Sequence, residues 1–128
     1  RDVTSLCWSH DGACVATGCY DGSSYVWDSQ GVHKHTLKGH EGPVFALKWT
    51  QRGTMLLSGS YDKRVIVWDA STGRERRVVQ GHAGPVLDVD WRDDDVFATA
   101  SGDRSIKVWS ATDRRFRDVV EDGAAGGT

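Results

Sequence analysis

The stretch VFALKWTQRGTMLLSGSYDKRVIVWD, from Val44 to Asp69, decides the fold. It opens on a short apolar run, Val44–Trp49, that ends in tryptophan. Arg52-Gly53 then marks a turn, and Leu56–Gly59 follows, rich in small and apolar residues. A second tight turn carries Asp62, and Val65–Trp68 closes the stretch. Period-two alternation bounded by turn residues is how the strands of an antiparallel meander read. The pattern recurs on both sides, as VTSLCWSHDGACVATGCYDGSSYVWD from Val3 to Asp28 and VLDVDWRDDDVFATASGDRSIKVWS from Val86 to Ser110. Trp8, Trp49 and Trp91 end the first strand of each unit. Trp27, Trp68 and Trp109 recur every 41 residues, each six residues after Asp21, Asp62 or Asp103.

Each unit thus reads as strands A, B and C, with Cys14–Gly18 and Phe97–Ala100 as the other B strands. Ser24–Trp27 and Ile106–Trp109 are the other C strands. Turns at Ser29-Gln30-Gly31 and Ser71-Thr72-Gly73 lead into a charged strand D: His33–Leu37, Glu75–Val79 and Phe116–Val120. Charge suits an outermost edge strand, because it blocks pairing with a foreign strand. No segment has helical periodicity. A period near 40–45 residues with four strands per unit is the mark of a β-propeller blade. The expected fold is all-β: a partial propeller of three four-stranded antiparallel blades. The units run about 2–40, 41–82 and 83–122, with 123–128 a loop toward a missing blade. Propellers close with four to eight blades. Three blades therefore imply a segment of a larger ring, of about seven or eight blades, or copies that assemble into one.

The 128 residues carry a net charge of −2, which gives no reason to expect a nucleic-acid or membrane partner. No run approaches the ~18 apolar residues that cross a bilayer as a helix. Cys7, Cys14 and Cys19 follow no metal-ligand spacing and read as reduced thiols, which suits a reducing compartment such as the cytosol or nucleus. No cofactor and no metal is expected. The third unit has twelve positions rather than thirteen between Trp91 and Asp103, and Asp93-Asp94-Asp95 forms its A–B turn. Three carboxylates there could hold a hard cation, but one sharp turn rarely supplies six oxygens, so a solvated turn is expected.

His40, Ser58, Asp62 and Trp68 in the second unit match His82, Thr99, Asp103 and Trp109 in the third. The first unit has Thr17, Asp21 and Trp27, with no histidine ahead of them. A nucleophile, a base and an acid are all present, so a propeller hydrolase using His40, Ser58 and Asp62 is one reading. Catalysis also needs an exposed nucleophile and an oxyanion hole. Repetition at one phase of successive units fits a structural device better. The expectation is a chain of hydrogen bonds in which Asp62 accepts from His40, His40 meets the Ser58 hydroxyl, and the Trp68 indole bonds there too.

Gly39-His40, Gly81-His82, Trp27-Asp28 and Trp68-Asp69 resemble the signature dipeptides of the WD-repeat family, and the resemblance covers Val3–Val120. More narrowly, Asp2–Leu6 with Trp8, Ala16-Thr17-Gly18 with Tyr20-Asp21-Gly22, Gly42–Trp49 and Leu87–Trp91 are similar to the transducin β-like proteins. Those are WD-repeat subunits of nuclear receptor corepressor complexes with histone deacetylase. Ser110 departs from the dipeptide pattern where an aspartate would stand. The LisH motif and F-box-like region usual in that family do not occur in these residues. The resemblance implies a noncatalytic, nuclear interaction scaffold, a fragment of a transcriptional corepressor subunit. A WD-repeat adaptor of another sort, such as a ubiquitin-ligase substrate receptor, is the alternative.

Partners would then be proteins or peptides: corepressor, deacetylase or histone tails. Tyr20, Tyr61 and Gly102, just before the turn aspartates, point outward on the rim, and Phe45 and Leu87 join them. Exposed aromatics are favoured anchors at interfaces. Asp88 and Asp90 are expected inward on strand A, opposite Leu87, Val89 and Trp91, adding negative charge that Lys48 partly offsets. Arg74, Arg76 and Arg77, then Arg114, Arg115 and Arg117, form an outer basic rim. Contact with phosphates is one reading of it and protection of the edge strand the other.

Overall fold

The computed structural model describes residues 2–113 and the backbone of 117–121. Twelve strands form three separate four-stranded antiparallel sheets. The first sheet comprises β1 (Val3–Trp8), β2 (Cys14–Cys19), β3 (Ser24–Asp28) and β4 (His33–Leu37). The second comprises β5 (Val44–Trp49), β6 (Met55–Ser60), β7 (Arg64–Asp69) and β8 (Glu75–Gln80). The third comprises β9 (Val86–Trp91), β10 (Val96–Ser101), β11 (Ser105–Ser110) and β12 (Arg117–Glu121). Within each sheet the strands lie in chain order, so every connection is a turn between neighbours. The last strand starts and ends one residue later than the sequence pattern indicates. Arg114, Arg115, Phe116 and 122–128 lie outside the described residues.

The middle sheet shows why B strands read as unbroken apolar or small residues. All six residues of β6 are buried, because a neighbouring sheet covers each of its faces. One core lies between the first and second sheets, where Ala16, Val26 and Leu37 meet Val44, Leu47, Trp49, Leu56, Ile66 and Trp68. A second core joins Ala46, Leu57, Val65 and Val67 to Val86, Val89, Phe97 and Trp109. Strand-A tryptophans stitch these junctions: Trp49 Nε1 donates to the Cys7 carbonyl at 2.8 Å, and Trp91 Nε1 to the Lys48 carbonyl at 3.0 Å. Each sheet thus offers bulky side chains to the sheet before it and smaller ones to the sheet after it. Gly18 and Gly59 are the extreme of that rule. A Cβ on either would lie under 3 Å from a methyl of Val44 or Val86.

Two sequence-based expectations are corrected. A β-bulge at the start of each strand A leaves one residue unpaired between Val3 and Ser5, between Val44 and Ala46, and between Val86 and Asp88. The extra residue breaks the period of two. Leu87 therefore does not share a face with Val89: it is 54% exposed while Val86 and Val89 are buried. Arg77, expected on the outer basic rim, is buried instead. Its guanidinium donates to the Ser110 carbonyl and lies 5.8 Å from the centroid of the Trp109 ring, bridging β8 to the third sheet. Arg76 does remain on the surface, 3.8 Å from Asp69.

Candidate functional site

Two sets of residues repeat across the sheets at fixed register, one buried between sheets and one exposed at the end where strands A begin. The buried set starts at the loop into each strand A. His40 Nδ1 lies 3.0 Å from Asp62 Oδ2, and His40 Nε2 lies 2.7 Å from Ser58 Oγ. The Trp68 indole donates to the same Ser58 Oγ at 2.8 Å. An ionised carboxylate only accepts, so Nδ1 carries the proton and donates to Asp62. Nε2 and the Ser58 hydroxyl share the second bond, and Ser58 Oγ accepts from Trp68 as well. The third sheet repeats the chain. His82 lies 3.0 Å from Asp103 and 2.7 Å from Thr99 Oγ1, which accepts from the Trp109 indole at 3.1 Å. In the first sheet Trp27 Nε1 donates to Thr17 Oγ1 at 3.0 Å, and Asp21 caps its own turn by accepting from Ser23 N–H at 3.0 Å.

Each aspartate also ties the histidine loop to the B–C turn. Asp62 accepts from the backbone N–H of Glu41 at 2.9 Å and of Arg64 at 3.0 Å. Asp103 accepts from the N–H of Ala83 at 2.9 Å and of Ser105 at 2.8 Å. Burial pushes both carboxyls up. The bonds from His40, Glu41 and Arg64 outweigh that at Asp62, and those from Ser105, Ala83 and His82 do so at Asp103. Both end well below the ordinary 3.8.

The sequence pattern missed three participants. Arg64 places Nη2 3.0 Å from Asp62 and donates also to the Gly39 carbonyl. In the third sheet Ser105 stands in that position, its hydroxyl 2.6 Å from Asp103 and 3.1 Å from His82 Nδ1. Lys107, two residues further on, takes over the bond to the corresponding carbonyl, that of Gly81. The signal was available, since both Arg64 and Ser105 lie two residues after the turn aspartate. Their different chemistry hides the shared place.

The exposed set lies on the rim. Tyr20 and Tyr61 are 64% and 57% exposed, and their backbone N–H groups bond to Asp2 and Pro43 at the entry to strand A. Phe45, the bulged residue of β5, packs edge-on against Tyr61 with ring centroids 6.2 Å apart. Leu87 holds the equivalent bulge of β9, and the N–H of Gly102, in the place of Tyr61, bonds to the Pro85 carbonyl. Asp88 and Asp90 are exposed on β9, and Lys48 is exposed on β5. No group of three or more His, Cys, Asp or Glu among the described residues is placed to hold a metal ion. Asp93 and Asp95, from the three-carboxylate turn, spend their oxygens on local bonds: Asp93 on the N–H groups of Asp95 and Val96, Asp95 on Ser110 and Thr112.

Three stacked meanders with a histidine–aspartate clasp between sheets define a propeller segment of the WD-repeat class. The WD domain, G-beta repeat family matches residues 1–28, 31–69 and 73–110, and the chain belongs to it. It is 46% identical over 108 residues to the F-box-like/WD repeat-containing protein TBL1X of Mus musculus, covering 84% of this chain and 20% of that protein. It is 52% identical over 106 residues to the WD40 repeat-containing protein HOS15 of Arabidopsis thaliana, covering 83% of this chain and 17% of that protein. The chain thus spans about a fifth of the length of these relatives. Among solved structures, that of U3-55K superposes with a TM-score of 0.88 at 22% identity, covering 94% of this chain and 39% of that one, a likeness of fold.

Proposed function

We propose that this chain is a noncatalytic protein-interaction scaffold, part of a transcriptional corepressor subunit that works with a histone deacetylase in the nucleus. The observation that carries the scaffold reading is the contrast between the two repeated sets. The groups that resemble a hydrolase triad are buried, with Ser58 at 0% exposure, whereas the aromatic pair Phe45–Tyr61 stands open on the rim. A nucleophile with no access to solvent cannot meet a substrate. In this reading His40, Ser58, Asp62 and Trp68, with their counterparts in the other sheets, are architecture that holds each loop in register. Tyr20, Tyr61, Phe45 and Leu87 anchor the partner. Asp88 and Asp90 would favour a basic segment such as a histone tail.

The corepressor assignment is supported by the likeness to the transducin β-like proteins and to TBL1X and HOS15. A ubiquitin-ligase substrate receptor is the second reading, favoured by the F-box-like designation of the TBL1X relative. Capture of corepressor and deacetylase subunits by the protein, with and without Tyr61→Ala and Phe45→Ala, tests the proposal. Loss of capture at unchanged melting temperature is the expected result. Capture of a ubiquitin-ligase core in place of the deacetylase would transfer the assignment to the second reading, and full capture by both variants would remove the rim from it.

A further inference from the structure

Three positions far apart in the chain meet where the A strands end, away from the Phe45–Tyr61 pair. Cys7, Lys48 and Asp90 each precede the tryptophan that closes strand A. They hold one register, since their strand-B partners are Ala16, Leu57 and Ala98. Packing of β1 on β5 and of β5 on β9 brings all three to the wall of one cavity of about 230 Å³. Trp49 and Trp91 supply its aromatic lining. Each indole is fixed by a bond to the sheet before it, at the Cys7 and Lys48 carbonyls.

The polar groups of the cavity divide into spent and unspent. Asp93 accepts from the N–H groups of Asp95 and Val96 and pairs with Arg92 at 3.0 Å. The Lys48 ammonium, the Asp90 carboxylate and the side chains of His10 and Gln51 form no hydrogen bond or ion pair among the described residues. Lys48 and Asp90 are opposite charges in one register of adjacent A strands, and no ion pair joins them.

We propose that this cavity binds a free α-amino acid with an apolar side chain. Its carboxylate meets the Lys48 ammonium and the Gln51 amide, and its ammonium meets Asp90. Its side chain lies against the indoles and the Cys7 thiol. Charge balance selects a zwitterion. A simple anion drawn to Lys48 would sit beside the like charge of Asp90, and a simple cation drawn to Asp90 beside that of Lys48. Size restricts the ligand to a small one, because drug-sized ligands occupy about 300–1,000 Å³. The site is separate from the rim, so it does not depend on the corepressor reading.

Titration of the isotope-labelled 128-residue chain with leucine, followed by NMR at the indole N–H signals, tests this. The Trp49 and Trp91 signals are expected to shift saturably, while that of Trp68, bonded to buried Ser58, stays in place. Isocaproate lacks the ammonium and isoamylamine lacks the carboxylate. Each is expected to bind about tenfold or more weakly than leucine, the loss of one charge-assisted bond. Lys48→Met and Asp90→Asn should weaken leucine by the same factor. Both side chains are exposed, and circular dichroism establishes that the variants are folded. The two analogues need no variant, so they keep the test decisive if a variant folds poorly. Absence of a saturable shift, analogues that bind as tightly as leucine, or unchanged affinity in the folded variants would overturn the proposal.

Discussion

The Ser110 hydroxyl donates to Asp95 Oδ1 at 2.9 Å, and together the two residues do what a single aspartate does in the other sheets. Asp28 Oδ1 caps the turn after β3 by accepting from the N–H groups of Gln30 and Val32. Asp69 Oδ1 caps the turn after β7 by accepting from those of Ser71 and Thr72. After β11 the acceptors are Ser110 Oγ, for the N–H groups of Thr112 and Asp113, and Asp95 Oδ1, for the N–H and hydroxyl of Thr112. The carboxylate missing from the strand end is supplied by the A–B turn, from the third of its aspartates.

Asp95→Ala is therefore expected to destabilise the protein by about 1 kcal/mol, the net worth of an ordinary hydrogen bond, or more, since the three bonds from Ser110 and Thr112 are all lost. Adding Ser110→Asp restores the capping carboxylate from its usual place. Urea unfolding should show the double variant more stable than Asp95→Ala alone. Equal stability would mean that the two positions are not exchangeable.

Asp62→Ala removes a buried acceptor from His40, the Glu41 N–H and Arg64 at once. Breaking a buried charged network by deleting one partner costs about 3 kcal/mol or more. The same measurement on Asp21→Ala is expected to show a smaller loss, because Asp21 is exposed and caps its own turn. A melting temperature for Asp62→Ala equal to that of wild type would remove the network from the stability of the fold.

Acid sensitivity follows from the depressed carboxyls of Asp62 and Asp103. A group whose folded value lies below its unfolded one stabilises the fold fully above the unfolded value, here 3.8, and the contribution is lost as pH falls below it. Thermal stability is expected to hold from neutral pH to about pH 5 and then to decline steeply. In Asp62→Asn the decline should be shallower, since one of the two carboxylates no longer titrates. An identical slope in the variant would assign acid unfolding to other groups.

Ser24 is the opposite case, a site where the wild-type residue costs stability. Its hydroxyl is buried and has no hydrogen-bond partner among the described residues. The second sheet places Val65 at the matching position, where it packs into the core. An unpaired buried hydroxyl costs about 1–3 kcal/mol, so Ser24→Ala should raise the unfolding free energy by about 1 kcal/mol after the loss of packing. Calorimetry would show a higher melting temperature, and a lower one would mean that the hydroxyl is satisfied.

The strands, their order and the phase of the buried network could be read from spacing alone. A strand needs only local alternation, and three copies of one pattern supply an internal alignment. Leu87 and Arg77 could not be read that way. The bulge that exposes Leu87 breaks the alternation on which such a reading depends. Arg77 sits on a strand that looks like a charged edge, but the next sheet covers it and offers the Ser110 carbonyl and the Trp109 ring. Arg64, Ser105 and Lys107 were hidden because one geometric task, satisfying an aspartate and a glycine carbonyl, passes among different side chains.

By itself, the sequence determined that this protein is a stack of four-stranded meanders with a histidine–aspartate pair in each of two units, because periodicity and turn chemistry are local properties of the chain. Tertiary structure alone decided which faces meet. Val44 over Gly18 and Val86 over Gly59 are relations between residues about 26 apart in sequence. Close packing makes the absence of a side chain at each glycine a condition for the valine that faces it, and no pattern within one unit contains that information.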